Sequence, residues 1–181
     1  MDNREYRIWA DRYADMVYRI ALNQMRNVAD AEDVVQTVFL KLYLKGPESR
    51  EEEHVKRWLI RVTVNECKSL FRSLWYQRVD LREARDSDAP QFESPDYASL
   101  YEAIGNLPKN CRIVIHLFYF EGYSSQEIAQ ILDIKEPTVR TRLTRARKLL
   151  KQQLEEEPDD AGPGTVSTHD GTGARPRPAA G

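Results

Sequence analysis

Apolar residues recur at helical spacing along most of the chain, and in its first half they mark three amphipathic helices. The first apolar row predicts a helix over residues 4–26. A second helix is predicted to begin at Asp30, a favourable N-cap residue, and to end at a Gly-Pro pair. A third follows the polar loop 48–53 and continues past Phe71. Three such helices, with aromatic residues on their apolar faces, predict a compact bundle.

The pattern changes at residue 80, because apolar residues become scarce and acidic residues dominate up to residue 96. This composition predicts an extended, flexible linker. Helical spacing resumes on both sides of Pro108 and continues through a pair of short helices. Beyond residue 157 the chain holds five of its eight glycines and four of its nine prolines, a composition that does not support folding. The sequence therefore predicts an all-α protein with a three-helix domain at 1–79, a flexible acidic linker at 80–96, a four-helix domain at 97–157 and a disordered C-terminal tail at 158–181.

The pair of short helices carries the local signals of a helix-turn-helix. Ser124 can cap the first helix, and Glu127 can complete a capping box. Ala129 is small enough to let two helices cross closely, and Asp133 tolerates the left-handed backbone of a tight turn. Pro137 suits the first position of the second helix, where its missing N–H costs nothing. Together these features favour a unit that reads the major groove of DNA.

The second of these helices places basic and short polar residues on its outward face. Its inward row includes Val139, Leu143 and Ala146. A recognition helix offers outward residues of this kind to base edges and phosphates. A basic row can also be no more than a solvated surface, but the capping box and turn favour DNA binding. The candidate DNA contacts are Thr138, Arg140, Thr141, Arg142, Arg145 and Lys148.

Composition and charge narrow the classes of protein to which this chain can belong. The net charge is −2, with positive charge concentrated in a few helices, and no apolar run is long enough for a membrane span or a signal peptide. Cys67 and Cys111 lie far apart, so reduced core thiols of a cytoplasmic protein are expected, with a redox-sensing pair as the alternative. The three histidines are scattered, and His116 falls in an apolar helix as a core or boundary residue. No metal site and no cofactor are therefore expected.

Two motifs together resemble one family. DAEDVVQTVF at residues 30–39, followed by RWLIRVTVN at 57–65, resembles the second conserved region of the extracytoplasmic-function (ECF) sigma factors, a subfamily of the sigma-70 factors of bacterial RNA polymerase. LPKNCR at 107–112 with the helix-turn-helix resembles their fourth region. The resemblance implies a protein without catalytic activity or small-molecule substrate, which binds core RNA polymerase and promoter DNA and helps to open the promoter. It also implies an anti-sigma factor as a partner, often a membrane protein.

The resemblance assigns polymerase contacts to the second helix. In such sigma factors the segment lies against the clamp coiled coil of the largest polymerase subunit, and the fourth region meets the flap of the second. The matching polymerase-binding positions are Asp30, Glu32, Asp33, Gln36, Thr37 and Phe39. Ordinary N-terminal capping is an alternative for Asp30. It explains neither Gln36 nor Phe39, for which the interface is favoured.

The third helix would hold the −10 element of the promoter as it melts. Basic side chains, Arg57 among them, alternate here with aromatic ones, a combination that binds single strands through phosphate contacts and base stacking. By resemblance the −10 contacts are Arg61, Asn65, Lys68, Arg72, Trp75 and Tyr76. Trp58 and Phe71 have the spacing of core residues instead. By resemblance the loop before this helix captures a flipped −10 base. Here the loop reads PESREEEH and departs from the family pattern, because it has three consecutive glutamates, whose carboxylates repel phosphate.

The resemblance also gives meaning to the recognition helix and to the linker. Arg140, Thr141 and Arg145 would contact the −35 element, with Arg142 and Lys148 nearby on phosphates. The acidic linker would thread toward the RNA exit path of the polymerase, where negative charge imitates nucleic acid. A solvated spacer is the alternative for the linker. The tail is a tolerated disordered end or a regulatory extension.

Two other functions compete with this hypothesis. A stand-alone helix-turn-helix regulator would explain the second domain but not DAEDVVQTVF or the basic, aromatic third helix. A metal-dependent nuclease could use Glu32, Asp33 and residues 51–53. No histidine or cysteine pair has ligand spacing, and no phosphate-binding loop or nucleophile elbow is present, so the sequence disfavours an enzyme.

Overall fold

The computed structural model describes residues 1–78 and 95–156 of the 181-residue chain. Within these ranges all regular structure is helical, which confirms the predicted all-α class. No helix in the described ranges combines the length and the apolar character needed to cross a bilayer. The helices are α1 (Asn3–Met25), α2 (Val28–Lys45), α3 (Glu52–Arg78), α4 (Pro95–Asn106), α5 (Lys109–Ile115), α6 (Ser125–Leu132) and α7 (Glu136–Glu156).

Helices α1, α2 and α3 pack together as the first bundle. Asp2 caps α1 by accepting hydrogen bonds from two backbone N–H groups, and Arg26 ends the helix in the left-handed conformation with φ 57°. The prediction that Asp30 caps α2 is wrong. The cap is Asn27, whose side chain accepts a hydrogen bond from the backbone N–H of Asp30 at 2.9 Å. Asp30 lies in the first turn instead, where its negative charge still favours the helix dipole.

The core of the first bundle follows the apolar rows of its helices. Val17 and Ile20 of α1, Val38 and Leu42 of α2 and Leu59 of α3 are completely buried. Each such side chain contributes about 1.5–3 kcal/mol through removal from water. Trp58 and Phe71 are partly buried against this core, as their spacing predicts.

Helices α4 to α7 form the second bundle. Helix α5 continues into a π-helical turn at residues 116–120, and His116 in this turn is buried, as predicted. Ser124 and Glu127 form the predicted capping box of α6. Asp133 ends α6 in the predicted left-handed conformation, with φ 54°. Pro137 is the second residue of α7 rather than the first, a position where the backbone N–H still has no partner within the helix.

The two bundles contact each other. Helix α1 meets α5, and α3 meets α6, so one apolar core runs through both bundles. Cys67 and Cys111 are buried free thiols in this core, as predicted. Nearly all of the predicted linker 80–96 and tail 158–181 lies outside the described residues, although the last two linker residues begin α4.

Candidate nucleic-acid interface

The helix-turn-helix is built from α6, a left-handed turn and α7. The Ser124 hydroxyl accepts from the backbone N–H of Glu127 at 3.3 Å, and the Glu127 carboxylate accepts from the backbone N–H of Ser124 at 3.0 Å. At the other end of α6 the N–H groups of Asp133 and Ile134 both donate to the carbonyl of Ala129. Because both ends of α6 are closed by these bonds, α7 leaves the turn in one fixed direction.

The outer face of α7 carries a row of three exposed residues. Thr141, Thr144 and Lys148 follow one another at intervals of three and four residues, so they lie on one side of the helix. Val139 and Ala146 lie on the opposite side and are completely buried. We call Thr141, Thr144 and Lys148 the α7 row. Thr144 was missed in the sequence because it carries no charge, although its spacing from Thr141 was a sufficient signal.

The predicted arginines flank the α7 row. Arg140 is exposed on one side of it and bound to Glu136 within the helix at 2.6 Å, and Arg145 is exposed on the other side. Thr138 and Arg142 are half-buried, beyond Arg145 on the side toward the bundle. The structure therefore places the six predicted −35 residues on or beside one face of α7, with Arg145 beside the centre of the row and Arg142 at its margin.

Arg147 lies on the same side of α7 as Arg140, seven residues further along, and is bound to its own bundle. Its Nε donates to the hydroxyl of Tyr119 at 2.9 Å, and its guanidinium lies over the rings of Phe118 and Tyr119 at 5.5 and 5.7 Å from their centroids. These contacts turn Arg147 toward its own bundle. Two arginines only two residues apart thus have different surroundings.

The predicted −10 residues form a basic row on α3. The four described members are Arg61, Asn65, Lys68 and Arg72. Their intervals of four, three and four residues place them on one side of the helix, and all four are exposed. We call these four residues the α3 row. Trp75 and Tyr76 continue the same helix, but their side chains lie outside the described residues.

Two of the three consecutive glutamates, Glu52 and Glu53, lie in the first turn of α3 and are engaged with nearby cations. Glu52 pairs with Arg12 at 2.6 Å and accepts a hydrogen bond from the Tyr13 hydroxyl at 3.2 Å. Burial, together with the neighbouring Glu52 carboxylate, raises the pKa of Tyr13 to about 12. Glu53 pairs with Arg57 at 2.8 Å. Because these pairs offset two of the three consecutive negative charges, the loop repels phosphate less than its sequence implies.

The predicted polymerase contacts lie on α2, on two adjacent rows. Glu32, Gln36 and Phe39 form one row, and Asp33 and Thr37 belong to the other. Gln36 is exposed, whereas Phe39 is only 8% exposed, and both line a groove between α1 and α2. Asp30 is half-buried in the first turn of the same helix.

Apolar side chains continue this surface of α2. Leu40 and Leu44 are 57% and 64% exposed, and Tyr43 is 41% exposed. Leu40 and Tyr43 line the groove together with Tyr6 and Ala10 of α1. We call this surface the α2 groove. The sequence already indicated this surface, because these apolar residues lie outside the row of α2 that faces the core. A cluster of exposed apolar groups marks a binding surface.

Comparison with known proteins identifies the two bundles. Family models of sigma-70 region 2 and sigma-70 region 4 match residues 9–76 and 97–150. RNA polymerase sigma factor SigV of Bacillus subtilis is 32% identical over 146 residues, which cover 77% of this chain and 85% of SigV. The chain belongs to the sigma-70 family of RNA polymerase sigma factors. The ECF RNA polymerase sigma-E factor of Haemophilus influenzae is 28% identical to this sigma factor over 170 residues, covering 85% of this chain and 89% of that protein.

A solved structure has the same fold as this sigma factor. RpoE of Bartonella quintana, crystallised with the anti-sigma factor NepR, superposes with a TM-score of 0.73 at 22% identity. The match covers 85% of this chain and 99% of that one.

The family membership decides between the functions that the sequence left open. Sigma-70 factors direct transcription initiation and are not enzymes, so a metal-dependent nuclease is excluded. The match to region 2 over residues 9–76 also accounts for the half of the chain that a stand-alone regulator leaves unexplained. This protein is an ECF-type sigma factor that acts in transcription initiation.

Proposed function

We propose that this sigma factor binds core RNA polymerase through α2, the −10 element through the α3 row and the −35 element through α7. The observation that carries the proposal is the presence of two separate exposed basic surfaces, the α3 row in the first bundle and Arg140, Arg145 and Lys148 of α7 in the second. One surface lies in the segment matched by region 2 and the other in the segment matched by region 4. Two basic surfaces of this kind suit two separated parts of one promoter.

The surface of α7 fits the major groove of duplex DNA. The short hydroxyl side chains of Thr141 and Thr144 let the helix approach closely, and Arg140 and Arg145 on either side can reach guanine edges. Lys148 and Arg142 are placed for phosphates, and Thr138 lies near the amino-terminal end of the helix, where recognition helices contact DNA.

The α3 row fits a single strand rather than a duplex. Lys68 and Arg72 supply positive charge for the backbone, and the amide of Asn65 between them offers a donor and an acceptor to a base. Trp75 and Tyr76 are proposed as stacking residues at the end of the helix. Arg61 at the other end extends the charged path by more than one helical turn.

The α2 groove fits a helical partner with basic and apolar side chains. Glu32 and Asp33 are exposed, and Leu40 and Tyr43 provide apolar contact on the same helix. We assign this groove, with Asp30, Gln36, Thr37 and Phe39, to the clamp coiled coil of the largest polymerase subunit.

Region 4 and the regulatory partner require separate surfaces. The exposed aromatic pair Tyr119 and Phe120 supports contact of the second bundle with the flap of the second polymerase subunit. An anti-sigma factor that covers the α2 groove would exclude polymerase. Because these partners act where the chromosome lies, we place this sigma factor in the cytoplasm, including any pool held at the membrane by such a factor.

The experiment is in vitro transcription with core polymerase on a library of genomic fragments. We expect transcripts from a defined set of promoters only when this sigma factor is added. The shared sequences upstream of their start sites would give its −10 and −35 elements. Tight binding to an operator without core polymerase, with no gain when core is added, would contradict the proposal.

A further inference from the structure

The α2 groove combines aromatic rings with carboxylates. The rings of Tyr6 and Tyr43, which both line it, meet edge to face with centroids 5.4 Å apart and planes at 80°. Asp11 of α1 lines the same groove and is exposed. Glu32 is exposed one turn before Gln36, another lining residue. The groove therefore offers apolar faces and negative charge to one ligand.

These two carboxylates are left without a cation by the part of the chain that the structure describes. Within residues 1–78 and 95–156, neither Asp11 nor Glu32 forms an ion pair. Asp15, one turn further along α1 and outside the groove, is instead paired with Arg19 at 2.9 Å. A ligand with positive charge is therefore favoured at the groove.

The walls of the groove favour proline in such a ligand. Both walls are helices, whose backbone N–H and C=O groups are bonded within the helix away from its ends, so a ligand meets mainly side chains there. Proline has no N–H that would lose a hydrogen bond on burial, and its fixed φ reduces the entropy lost on binding. Aromatic-lined grooves bind proline-rich segments for these reasons. The volume of about 670 Å³ is in the range of pockets that hold small ligands, so a short segment fits.

One segment of the chain itself has this chemistry. Residues 175–178 read Arg-Pro-Arg-Pro, and the chain contains no acidic residue from 171 to 181. Residues 79–94, which also lie outside the described ranges, carry net negative charge and would be repelled by Asp11 and Glu32. Two arginines that alternate with two prolines match two carboxylates beside aromatic rings.

The chain after α7 is long enough to bring this segment to the groove. Helix α7 ends at Glu156, and eighteen residues separate it from Arg175. An extended chain spans about 3.3 Å per residue, so this stretch covers up to about 60 Å. A compact body of about 140 residues has a radius of gyration of about 14 Å and a diameter of roughly 40 Å. The groove is therefore within reach of residues 175–178.

We propose that Arg-Pro-Arg-Pro at residues 175–178 binds in the α2 groove of its own chain and competes there with core polymerase. The arginines pair with Asp11 and Glu32, and the prolines lie against Tyr6 and Tyr43. An attached ligand has an effective concentration of about 1 mM, so even a weak contact occupies the groove for much of the time. The docking rests on the groove and on the sequence of the tail. The competition rests on the function proposed above, which assigns the groove to polymerase.

The first test measures the docking as disulfide formation within the chain. Ala174→Cys places a thiol beside Arg175 in the tail. Ala14→Cys places the second thiol in the groove, where Ala14 is exposed, and we call this pair the groove disulfide. Ala29→Cys is the matched control, because Ala29 is an exposed alanine of α2 outside the groove. Its pair with position 174 is the control disulfide.

The rate of each disulfide is followed in a glutathione redox buffer at low protein concentration. Peptide mapping by mass spectrometry identifies the paired cysteines. The native Cys67 and Cys111 are buried, and burial raises the pKa of both thiols, so they react slowly under these conditions.

The groove disulfide should depend on charge at both ends of the contact. Arg175→Gln with Arg177→Gln should slow it about 2- to 25-fold, because each exposed ion pair changes binding by about 1.5- to 5-fold. The same double substitution should leave the control disulfide unchanged. Asp11→Asn should slow the groove disulfide about 1.5- to 5-fold. Asp15→Asn, which removes a carboxylate already paired with Arg19, should not slow it.

The second test measures the affinity of the sigma factor, without added cysteines, for core polymerase. We expect the tail to occupy the groove at least about half of the time, so Arg175→Gln with Arg177→Gln should tighten binding at least about twofold. Asp159→Asn with Asp160→Asn is the control, because it removes two tail charges outside residues 175–178. It should leave the affinity unchanged.

The docking is overturned if both disulfides respond alike to loss of the two arginines, or if Asp11→Asn and Asp15→Asn have equal effects. A disulfide that joins two chains, and forms faster at higher protein concentration, would assign the groove to the tail of a second copy and overturn docking within one chain.

Two further outcomes separate this proposal from the proposed function. The expected disulfides with unchanged affinity for core polymerase would remove the assignment of the groove to polymerase, and the competition with it. Normal transcription with core polymerase, together with unresponsive disulfides, would remove the docking alone.

Discussion

Arg145 and Arg147 provide a matched pair of substitutions for the recognition surface. Both arginines are exposed on α7 and lie two residues apart. Because each substitution replaces an arginine by alanine, both variants lose the same charge. Arg145 flanks the α7 row, whereas Arg147 is bound to Tyr119 on another side of the helix. A difference between the two variants therefore reports position rather than charge.

The expected losses follow from these surroundings. Loss of a bidentate contact to guanine costs about 1–3 kcal/mol, so Arg145→Ala should weaken −35 binding by about 5- to 150-fold. Arg147→Ala removes only long-range attraction and should cost less than about threefold at physiological salt. Arg140→Ala should weaken −35 binding slightly less than Arg145→Ala does. Before it can contact DNA, Arg140 must break its exposed ion pair with Glu136, which contributes about 0.3–0.5 kcal/mol.

The assay is equilibrium binding of a fluorescent promoter fragment by holoenzyme assembled from each variant, at fixed salt. Single-base changes across the −35 element are then tested with each holoenzyme. Arg145→Ala should flatten the preference at one base pair, and Arg147→Ala should leave every preference unchanged. Equal losses for the two variants, with helical content intact, would refute the assignment of this face of α7.

Two further predictions concern the polymerase surface and acid stability. Leu40→Ser should weaken binding to core polymerase by at least about fivefold, because it removes an apolar side chain from the α2 groove. Ile8→Ser, which changes an apolar residue that is 50% exposed outside the groove, should leave this binding unchanged. Equal effects of the two substitutions in a pull-down titration would contradict the assignment. The neighbouring His116 and Lys56 side chains, whose nitrogens lie 3.6 and 3.2 Å from its oxygens, hold the pKa of Glu121 below the ordinary value of 4.5. The stabilising effect of Glu121 is therefore present above that pH and is lost as pH falls through the lower folded value. In urea unfolding, Glu121→Gln should therefore be less stable than the parent at pH 7, and a difference that persists undiminished at pH 3 would exclude this origin.

The sequence predicted the features that depend on neighbouring residues. These features are the capping box at Ser124, the left-handed turn at Asp133 and the apolar rows of the helices. Each depends on residues close in sequence, so the order of residue types predicts it. The start of α2 was misplaced because Asn27 and Asp30 are both good caps, and only the backbone conformation distinguishes them. Thr144 was overlooked because charge, rather than spacing, guided the search for DNA contacts.

The contact between the bundles could not be predicted in this way. Arg57 and Glu127 are 70 residues apart, and either one alone resembles a solvated charge. The second apolar row of α3, with Ile60 and Val64, was a signal that this helix is covered on two sides. Which partner covers the second side depends on tertiary packing, and periodicity carries no information about that.

Two arginine contacts between the bundles determine which residues can be substituted during evolution. Arg61 and Arg112 bind main-chain carbonyls at the ends of helices, and every residue type supplies such a carbonyl. The acceptor positions 24, 130 and 131 can therefore drift freely in identity as long as the helix ends remain in place. Only the arginine side of each contact is exposed to selection, so in descendants of this chain the two halves of the interface need not change together.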